Sequence, residues 1–282
     1  MRRLLLLLLL VFLSVAVGYS LAKNNFSLKR NSGILPTVQE KRPISRFAIV
    51  SDSHSDNGNL EKALARARGF GINFVVGLGD WTTVGTLDEL SAAKKVFDGA
   101  RIPYYLTSGD HDLWDSRNRG EEPLFNYQQV FGSPNHLIER NNIQIVILDN
   151  SDIYSGISPQ TWKFLSESLE KEAKLKLVMT HKTPFHPDSK HIMGEDSAQV
   201  ASQAKEFLTL LREKQIDGFF AGDLHFFARY LDPSNTVKIS GAFLRITTVG
   251  AVTVERNFQG PRFAIVTVYN DYSWEVEDVE IR

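Results

Sequence analysis

Aspartates and histidines lie directly after five short apolar segments of this 282-residue chain. Carboxylate oxygens and imidazole nitrogens are side-chain ligands that divalent metal ions prefer in proteins. A single Gly-Asp pair is an ordinary turn signal, but five such elements with the same ligand chemistry predict a metal centre. The elements are Asp52-Ser53-His54, Gly79-Asp80, Gly109-Asp110-His111-Asp112, Thr180-His181 and Gly222-Asp223-Leu224-His225.

The apolar segments before these elements have the length of buried β-strands. In a layered α/β fold, parallel strands end at one edge of the sheet, and ligand sites lie at that edge. We therefore expect the five elements to meet at one place. The predicted strands cover residues 47–50, 74–78, 104–106, 175–179 and 218–221.

Amphipathic helices alternate with these strands, whereas the C-terminal part of the chain contains strands that follow one another. Apolar residues recur at helical spacing in four segments, and Pro159 lies near the start of the third. This order predicts one α/β sandwich of two packed sheets. The helical segments are 60–67, 87–97, 162–169 and 200–211, and the C-terminal strands are 237–240, 246–249, 263–268 and 274–281.

The composition is that of a folded globular protein without a basic surface. Hydrophobic residues make up 43% of the chain and charged residues 23%, and the formal net charge is −1. A chain without basic excess gives no indication of nucleic-acid binding. The chain contains no cysteine, which excludes disulfides, thiolate-bound zinc and a lipid-modified cysteine. Any metal ion must therefore be held by oxygen and imidazole nitrogen.

The N-terminus has the pattern of an export signal. Arg2 and Arg3 precede an apolar run, and small residues at Ser20 and Ala22 match cleavage after Ala22. The alternative is an uncleaved membrane anchor, because residues 4–22 are nearly long enough to span a bilayer. Both interpretations place the protein outside a membrane. We therefore divide the chain into a signal peptide or anchor (1–22), a polar linker that would tether the domain (23–44) and one domain (45–282).

In their order along the chain, the five elements resemble the signature of the calcineurin-like metallophosphoesterases, which is D-x-H, G-D, G-N-H-[DE], H and G-H-x-H. The resemblance extends from residue 47 to the C-terminus, and the segment 127–148 is also similar to this family. It implies a four-layer αββα sandwich of two mixed β-sheets flanked by helices, with two metal ions at the sheet edges. This architecture agrees with the one predicted from periodicity.

The resemblance also implies a role for each matching residue. His111 matches the histidine that contacts the phosphoryl group and protonates the leaving group, and Asp112 would orient His111 by a hydrogen bond. Asp80 matches the carboxylate that bridges both ions. The first ion would be held by Asp52, His54, Asp80 and His225, and the second by Asp110, His181 and Asp223 together with Asp80.

Two residues depart from the family pattern, and both belong to the second metal site. Asp110 replaces an asparagine, and Asp223 replaces the first histidine of G-H-x-H. Both can ligate a metal ion, but the extra carboxylates bring the formal charge of the site with two dications to about zero. They favour manganese or magnesium, while iron and zinc are possible. We predict a two-metal site, and a one-metal or degenerate site is the alternative.

These observations predict an exported phosphohydrolase that cleaves a small phosphate ester with a hydroxide activated at a dinuclear metal site. The alternative is a catalytically weak, single-metal family member that acts as an envelope binding or scaffold protein. The departures at Asp110 and Asp223 favour this alternative, whereas the presence of His111 and Asp112 favours hydrolysis. In the loop after His181, the side chains of His186 and His191 could line the substrate pocket or lie exposed.

Overall fold

The structure is a computed structural model that describes residues 40–232 and 244–282. The predicted signal or anchor, residues 23–39 of the predicted linker and the predicted strand 237–240 lie outside the described residues. Within the described residues, no helix combines the length and the apolar character needed to span a membrane.

Eleven strands and six α-helices are described. The strands are β1 (Pro43–Val50), β2 (Phe74–Gly77), β3 (Tyr104–Leu106), β4 (His136–Arg140), β5 (Ile143–Ile147), β6 (Leu175–Thr180), β7 (Gly218–Ala221), β8 (Ala228–Leu231), β9 (Arg245–Thr248), β10 (Arg262–Tyr269) and β11 (Trp274–Glu280). The helices are α1 (Asn57–Arg68), α2 (Leu87–Ala100), α3 (Trp114–Asn118), α4 (Phe125–Phe131), α5 (Pro159–Leu169) and α6 (Ala198–Glu213), with a 3₁₀ turn at His111–Leu113.

The strands form two mixed sheets. The first has the order β11-β10-β1-β2-β3, in which β1, β2 and β3 are parallel and β10 runs antiparallel to β1. The second has the order β4-β5-β6-β7-β9-β8, in which β5, β6, β7 and β9 are parallel and both edge strands are antiparallel.

Three apolar cores separate four layers. Between the sheets, Phe47 and Ile49 of β1 lie in one core with Leu177 and Phe220 of the second sheet. The outer face of the first sheet packs on α1, α2 and α4, and the outer face of the second packs on α5 and α6. The predicted four-layer αββα sandwich is therefore confirmed. Alternate residues of β1 face opposite layers, as the period of a strand requires.

The helices begin where the sequence supplies their caps. Thr86 and Glu89 form a capping box at the start of α2, and Ser158 caps α5 with Pro159 in its first turn. The four predicted helical segments correspond to α1, α2, α5 and α6. Sequence analysis did not predict β8, whose four residues are alternately half-buried and exposed.

Trp81 joins the end of β2 to the helical layer. Its side chain is fully buried, its Nε1 donates to the carbonyl of Thr107 at 2.9 Å, and its ring packs edge-on against Phe97. We expect Trp81→Ala to lower the free energy of unfolding by about 3–5 kcal/mol, because it leaves a large cavity. Denaturant titration measures this loss. Phe258→Ala, at a side chain that is 80% exposed, should change stability by less than about 0.5 kcal/mol.

Candidate metal centre

The predicted ligands lie on tight turns at the carboxyl ends of the strands. Most of them have left-handed backbone, which non-glycine residues adopt uncommonly and which is found at functional sites when the surroundings enforce it. The positive φ angles are 54° at Asp52, 43° at His54, 56° at Asp80, 67° at Asp223 and 58° at His225.

Hydrogen bonds tie these turns to one another. The amide of Asp52 donates to the carbonyl of Gly79 at 3.0 Å, and the amide of His111 donates to Oδ1 of Asp80 at 3.0 Å. Across the two sheets, the amide of Asp223 donates to both carboxylate oxygens of Asp52 at 3.1 Å. The turns therefore form one network that fixes the ligands before any ion binds.

Asp52, His54 and His225 form a first buried cluster, in which one ligand atom from each residue lies within 4.8 Å of the others. The Nε2 atoms of His54 and His225 are 3.1 Å apart, and Nε2 of His225 is 3.9 Å from Oδ1 of Asp52. Asp80 adjoins this cluster, since its Oδ2 lies 3.3 Å from Nε2 of His54.

Asp110, His181 and Asp223 form a second buried cluster of the same kind. Nε2 of His181 lies 3.2 Å from Oδ1 of Asp110 and 3.6 Å from Oδ1 of Asp223. The other oxygen of Asp80, Oδ1, lies 3.6 Å from the same nitrogen. Asp80 thus faces both clusters, one oxygen toward each, and all seven predicted ligands lie together.

Backbone carbonyls orient the imidazole rings. Nδ1 of His181 donates to the carbonyl of Leu78 at 2.7 Å, and Nδ1 of His225 donates to that of Glu255 at 2.8 Å. A ring whose Nδ1 carries the hydrogen has its lone pair on Nε2, which here points into the cluster. This is the arrangement that metal-binding histidines adopt.

The charges of the clusters are poorly solvated. Burial raises the pKa of Asp80 well above its ordinary value, and burial together with the neighbouring His111 and His225 lowers the pKa of His54 to about 2. Burial alone would lower the pKa of His181, but the carboxylates of Asp80, Asp110 and Asp223 raise it well above normal. Desolvation therefore disfavours the charged forms of Asp80 and His54, whereas the nearby carboxylates favour the charged form of His181.

The first cluster fits a divalent ion. Its two imidazole nitrogens point at each other from 3.1 Å, and neutral imidazoles in this arrangement supply two lone pairs for one cation. Asp52, with Asp80 beside it, supplies the carboxylate oxygens that such an ion also takes. Asp52, His54, Asp80 and His225 are therefore placed where they could hold the first ion.

A lysine that was not predicted lies in the second cluster. Nζ of Lys182 lies 2.8 Å from Oδ1 of Asp223 and 3.3 Å from Oδ1 of Asp110. Burial alone would lower the pKa of Lys182, but these two carboxylates raise it above its ordinary value. Nothing in the sequence distinguishes this lysine from an exposed one except its position directly after His181.

His191 also reaches the second cluster from the loop after β6. Its Nε2 is 3.2 Å from Oδ1 of Asp223, and its Nδ1 is 2.6 Å from Glu195. The hydrogen bond to Asp223 is the main reason that the pKa of His191 is raised to about 9. His186 instead folds back on its own loop, where Nδ1 accepts from the amides of Asp188 and Ser189.

His111 lies beside the first cluster and is partly exposed. Its ring contacts that of His54 edge-on, with centroids 4.5 Å apart, and stacks on Trp114 at 3.9 Å. Nδ1 of His111 is 2.8 Å from the carbonyl of Thr83, which therefore orients the ring. Burial lowers the pKa of His111, although the hydrogen bond to Thr83 opposes this.

The prediction that Asp112 orients His111 by accepting a hydrogen bond from it was wrong. Asp112 is fully buried, and its carboxylate accepts hydrogen bonds from Thr82, through both the amide and Oγ1, and from the amide of Gly109. Three donors on the loop backbone and on Thr82 turn Asp112 inward, away from the imidazole. Its structural effect is to hold the turn that carries Asp110 and His111.

The turns approach each other so closely that Gly109 has no room for a side chain. A β-carbon at this position would collide with the carboxylate and the backbone nitrogen of Asp80. We expect Gly109→Ala to displace Asp80 and to lower the phosphoesterase activity that the sequence resemblance implies by roughly 100-fold, the effect of a misplacement of about 1 Å. Kinetics with a chromogenic phosphate ester, together with metal content, measures this loss.

Gly99→Ala is the matched control, because a β-carbon on this exposed residue of α2 meets no atom within 4 Å. It should leave activity unchanged and raise helix stability by up to about 1 kcal/mol. Full activity in Gly109→Ala would show that the turns can separate without loss of the site.

Comparisons with known proteins identify the fold and the family. The sequence profile of the calcineurin-like phosphoesterase family matches residues 45–227. A search of the curated proteins gave no match. Three solved structures illustrate the fold, and because each is below 25% identical, each shows similarity of fold alone.

A dimetal phosphatase from Danio rerio is 16% identical, with a TM-score of 0.59, over 86% of this chain and 100% of that one. A purple acid phosphatase from yellow lupin seeds is 12% identical, with a TM-score of 0.60, over 83% of this chain and 51% of that one. GAP50, the anchor in the inner membrane complex of Plasmodium, is 12% identical, with a TM-score of 0.53, over 86% and 90%. Since the profile match covers more than half of the sequence, the chain belongs to the calcineurin-like phosphoesterase family.

Proposed function

We propose that this protein is a metal-dependent phosphohydrolase that cleaves a small phosphate ester. The observation that carries the proposal is the first cluster, Asp52, His54 and His225, with His111 beside it. A metal ion held there would polarise the phosphoryl group and supply an activated water. The family, the fold and the ligand chemistry all support this activity.

Among the residues that the structure describes, His111 is the best placed to act on the leaving group. Ligand atoms of His54, Asp80 and His111 lie within 4.8 Å of one another, so an ester bound at the first cluster lies within reach of the His111 ring. The Thr83 carbonyl occupies Nδ1 and leaves Nε2 to face the substrate. In its imidazolium form, which carries a hydrogen on both ring nitrogens, His111 would donate the Nε2 proton to the departing oxygen and become neutral.

The carboxylate-rich ligand set supports manganese or magnesium as the bound ion. Sequence analysis also predicted a second ion at Asp110, His181 and Asp223. These residues converge as that prediction requires, but Lys182 already contacts two of them.

A second candidate function is that of a binding or anchoring protein with little activity. The observation that favours it is the ammonium of Lys182 in the second cluster. The similar fold of GAP50, which is an anchor in a membrane complex, agrees with this use of the architecture.

Turnover by the full chain separates the two functions. The chain is stripped with a chelator, reloaded with manganese, magnesium, zinc or ferrous iron, and assayed with 4-nitrophenyl phosphate and bis(4-nitrophenyl) phosphate. We expect turnover only after metal loading, and the preferred ester then distinguishes a monoesterase from a diesterase. Absence of turnover with every ion, in a protein that binds metal, would contradict hydrolysis and support the anchoring function.

We further propose that the domain acts outside a membrane. The basic residues and apolar run at the start of residues 1–22 support this proposal. Fractionation of cells that express the full chain, with N-terminal sequencing of the product, distinguishes cleavage after Ala22 from anchoring. Recovery of uncleaved protein in the cytosol would contradict export.

A further inference from the structure

The ammonium of Lys182 contacts the atoms that a second metal ion would need. These atoms are Oδ1 of Asp110 and Oδ1 of Asp223, and Nε2 of His181 faces the same two oxygens. Bonds from a metal ion to such ligands are about 2.0–2.2 Å long. An ion bound by these oxygens would therefore lie against the ammonium, and the two cations would repel each other.

Lys182 is built into this position. The residue is only 4% exposed, and lysine is almost never buried to this degree unless it is paired. Its amide donates to Oδ1 of Asn150 at 2.9 Å, and Nδ2 of Asn150 donates back to its carbonyl at 2.7 Å. Asn150 is itself fully buried, and its side chain hydrogen-bonds to both the amide and the carbonyl of Lys182, which fixes the backbone of this residue.

Asp110 and Asp223, the two departures from the family pattern, form one buried ion-pair cluster with Lys182. Asp110 and Asp223 add negative charge where the pattern has a neutral amide and an imidazole, and both direct an oxygen at Nζ of Lys182. A pair of buried carboxylates needs a counter-charge, and a lysine ammonium supplies it without a metal ion. Oδ2 of Asp223 is buried without a hydrogen-bond partner among the described residues, and a single oxygen does not make a metal site.

We propose that the ammonium of Lys182 takes the place of the second metal ion, so that the protein holds one divalent ion at Asp52, His54 and His225. The inference rests on the proposed function and deepens it. A phosphoester at this site would face one divalent ion and one fixed ammonium in place of two ions. Asp80, between the clusters, would then bind the ion with one oxygen and face the lysine cluster with the other.

Metal stoichiometry tests the proposal. The full chain is stripped with a chelator, loaded with excess manganese and desalted, and its manganese is measured by mass spectrometry and electron paramagnetic resonance. We expect about one ion per chain in the wild type and about two in Lys182→Met, which keeps the apolar stem of lysine without its charge. The spectrum should change from that of isolated ions to that of a spin-coupled pair.

Lys190→Met is the matched control, because Lys190 is exposed on the loop that follows the same strand. It should stay at about one ion per chain. Two ions or none in the wild type would overturn the proposal. One ion in both the wild type and Lys182→Met would also overturn it, because the lysine would then not be what excludes the second ion.

If Lys182→Met does not fold, a titration of the wild type with manganese measures how many ions the chain binds. The second equivalent of manganese should remain in the signal of free ions, and its loss into a bound signal would overturn the proposal. None of these measurements depends on turnover. A wild type that binds one ion but hydrolyses no ester would contradict the proposed function and still support the exchange of an ion for Lys182.

Discussion

Replacement of Asp80 by asparagine is expected to reduce kcat/KM for phosphate ester hydrolysis by more than about 100-fold. Loss of a residue that only hydrogen-bonds to a metal ligand costs up to about 100-fold, and Asp80 is itself a predicted ligand. Asp80 faces both clusters, with Oδ2 toward His54 and Oδ1 toward His181. Asparagine has nearly the same shape and can still accept the hydrogen bond from the His111 amide. The substitution removes the negative charge of the side chain and replaces one of its two carboxylate oxygens by an amide nitrogen.

The measurement is steady-state kinetics of the manganese-loaded full chain, with metal content determined on the same samples. Asp88→Asn is the control, because it makes the same chemical change at an exposed residue in the first turn of α2. It should retain the activity of the wild type. Activity of Asp80→Asn within threefold of wild type would mean that hydrolysis does not use this centre.

Replacement of His111 by glutamine is expected to lower kcat by about 10²–10⁴-fold for an alkyl phosphate, whose leaving group needs a proton. The loss should be much smaller for 4-nitrophenyl phosphate, because 4-nitrophenolate departs without protonation. This difference would follow from the position of His111 beside the first cluster and from the Thr83 carbonyl, which engages Nδ1 and leaves Nε2 available to a bound ester. A comparison of kcat for the two esters measures it.

His136→Gln is the histidine control. His136 lies on β4 and bonds to the carbonyl of Leu106, so its loss should affect stability by about 1 kcal/mol without changing kcat for either ester. An equal loss of kcat for both esters in His111→Gln would show that His111 positions the phosphoryl group and does not protonate the leaving group. Metal content should remain unchanged in both variants.

The positions of the ligands could be predicted because they depend on local pattern. Apolar runs identified β1, β2, β3, β6 and β7, and in a parallel arrangement such strands must end at one edge. The ligands follow directly after those runs, so Asp52 and Asp80 were placed by the same pattern that placed the strands. Short strands with alternating exposure, such as β8, gave no comparable signal.

The partners of the ligands could not be predicted, because they depend on contacts between distant segments. Lys182 is buried through its clamp with Asn150 and its contacts with Asp110 and Asp223, none of which is visible in its neighbours along the chain. The inward turn of Asp112 likewise depends on a hydrogen bond with Thr82 on another loop. A motif identifies a residue type but not the direction in which its side chain points.

The first cluster draws Asp52 and His54 from the end of β1 in one sheet and His225 from the turn after β7 in the other. An ion bound by all three is therefore a cross-link between two layers of the protein, in addition to being a chemical reagent. Such an ion would bind the folded chain, in which the two sheets are packed, more tightly than the unfolded chain. At a free concentration 100 times Kd, it would add about 2.7 kcal/mol to the free energy of unfolding. The supply of divalent metal would then influence the stability of the fold as well as the rate of its chemistry.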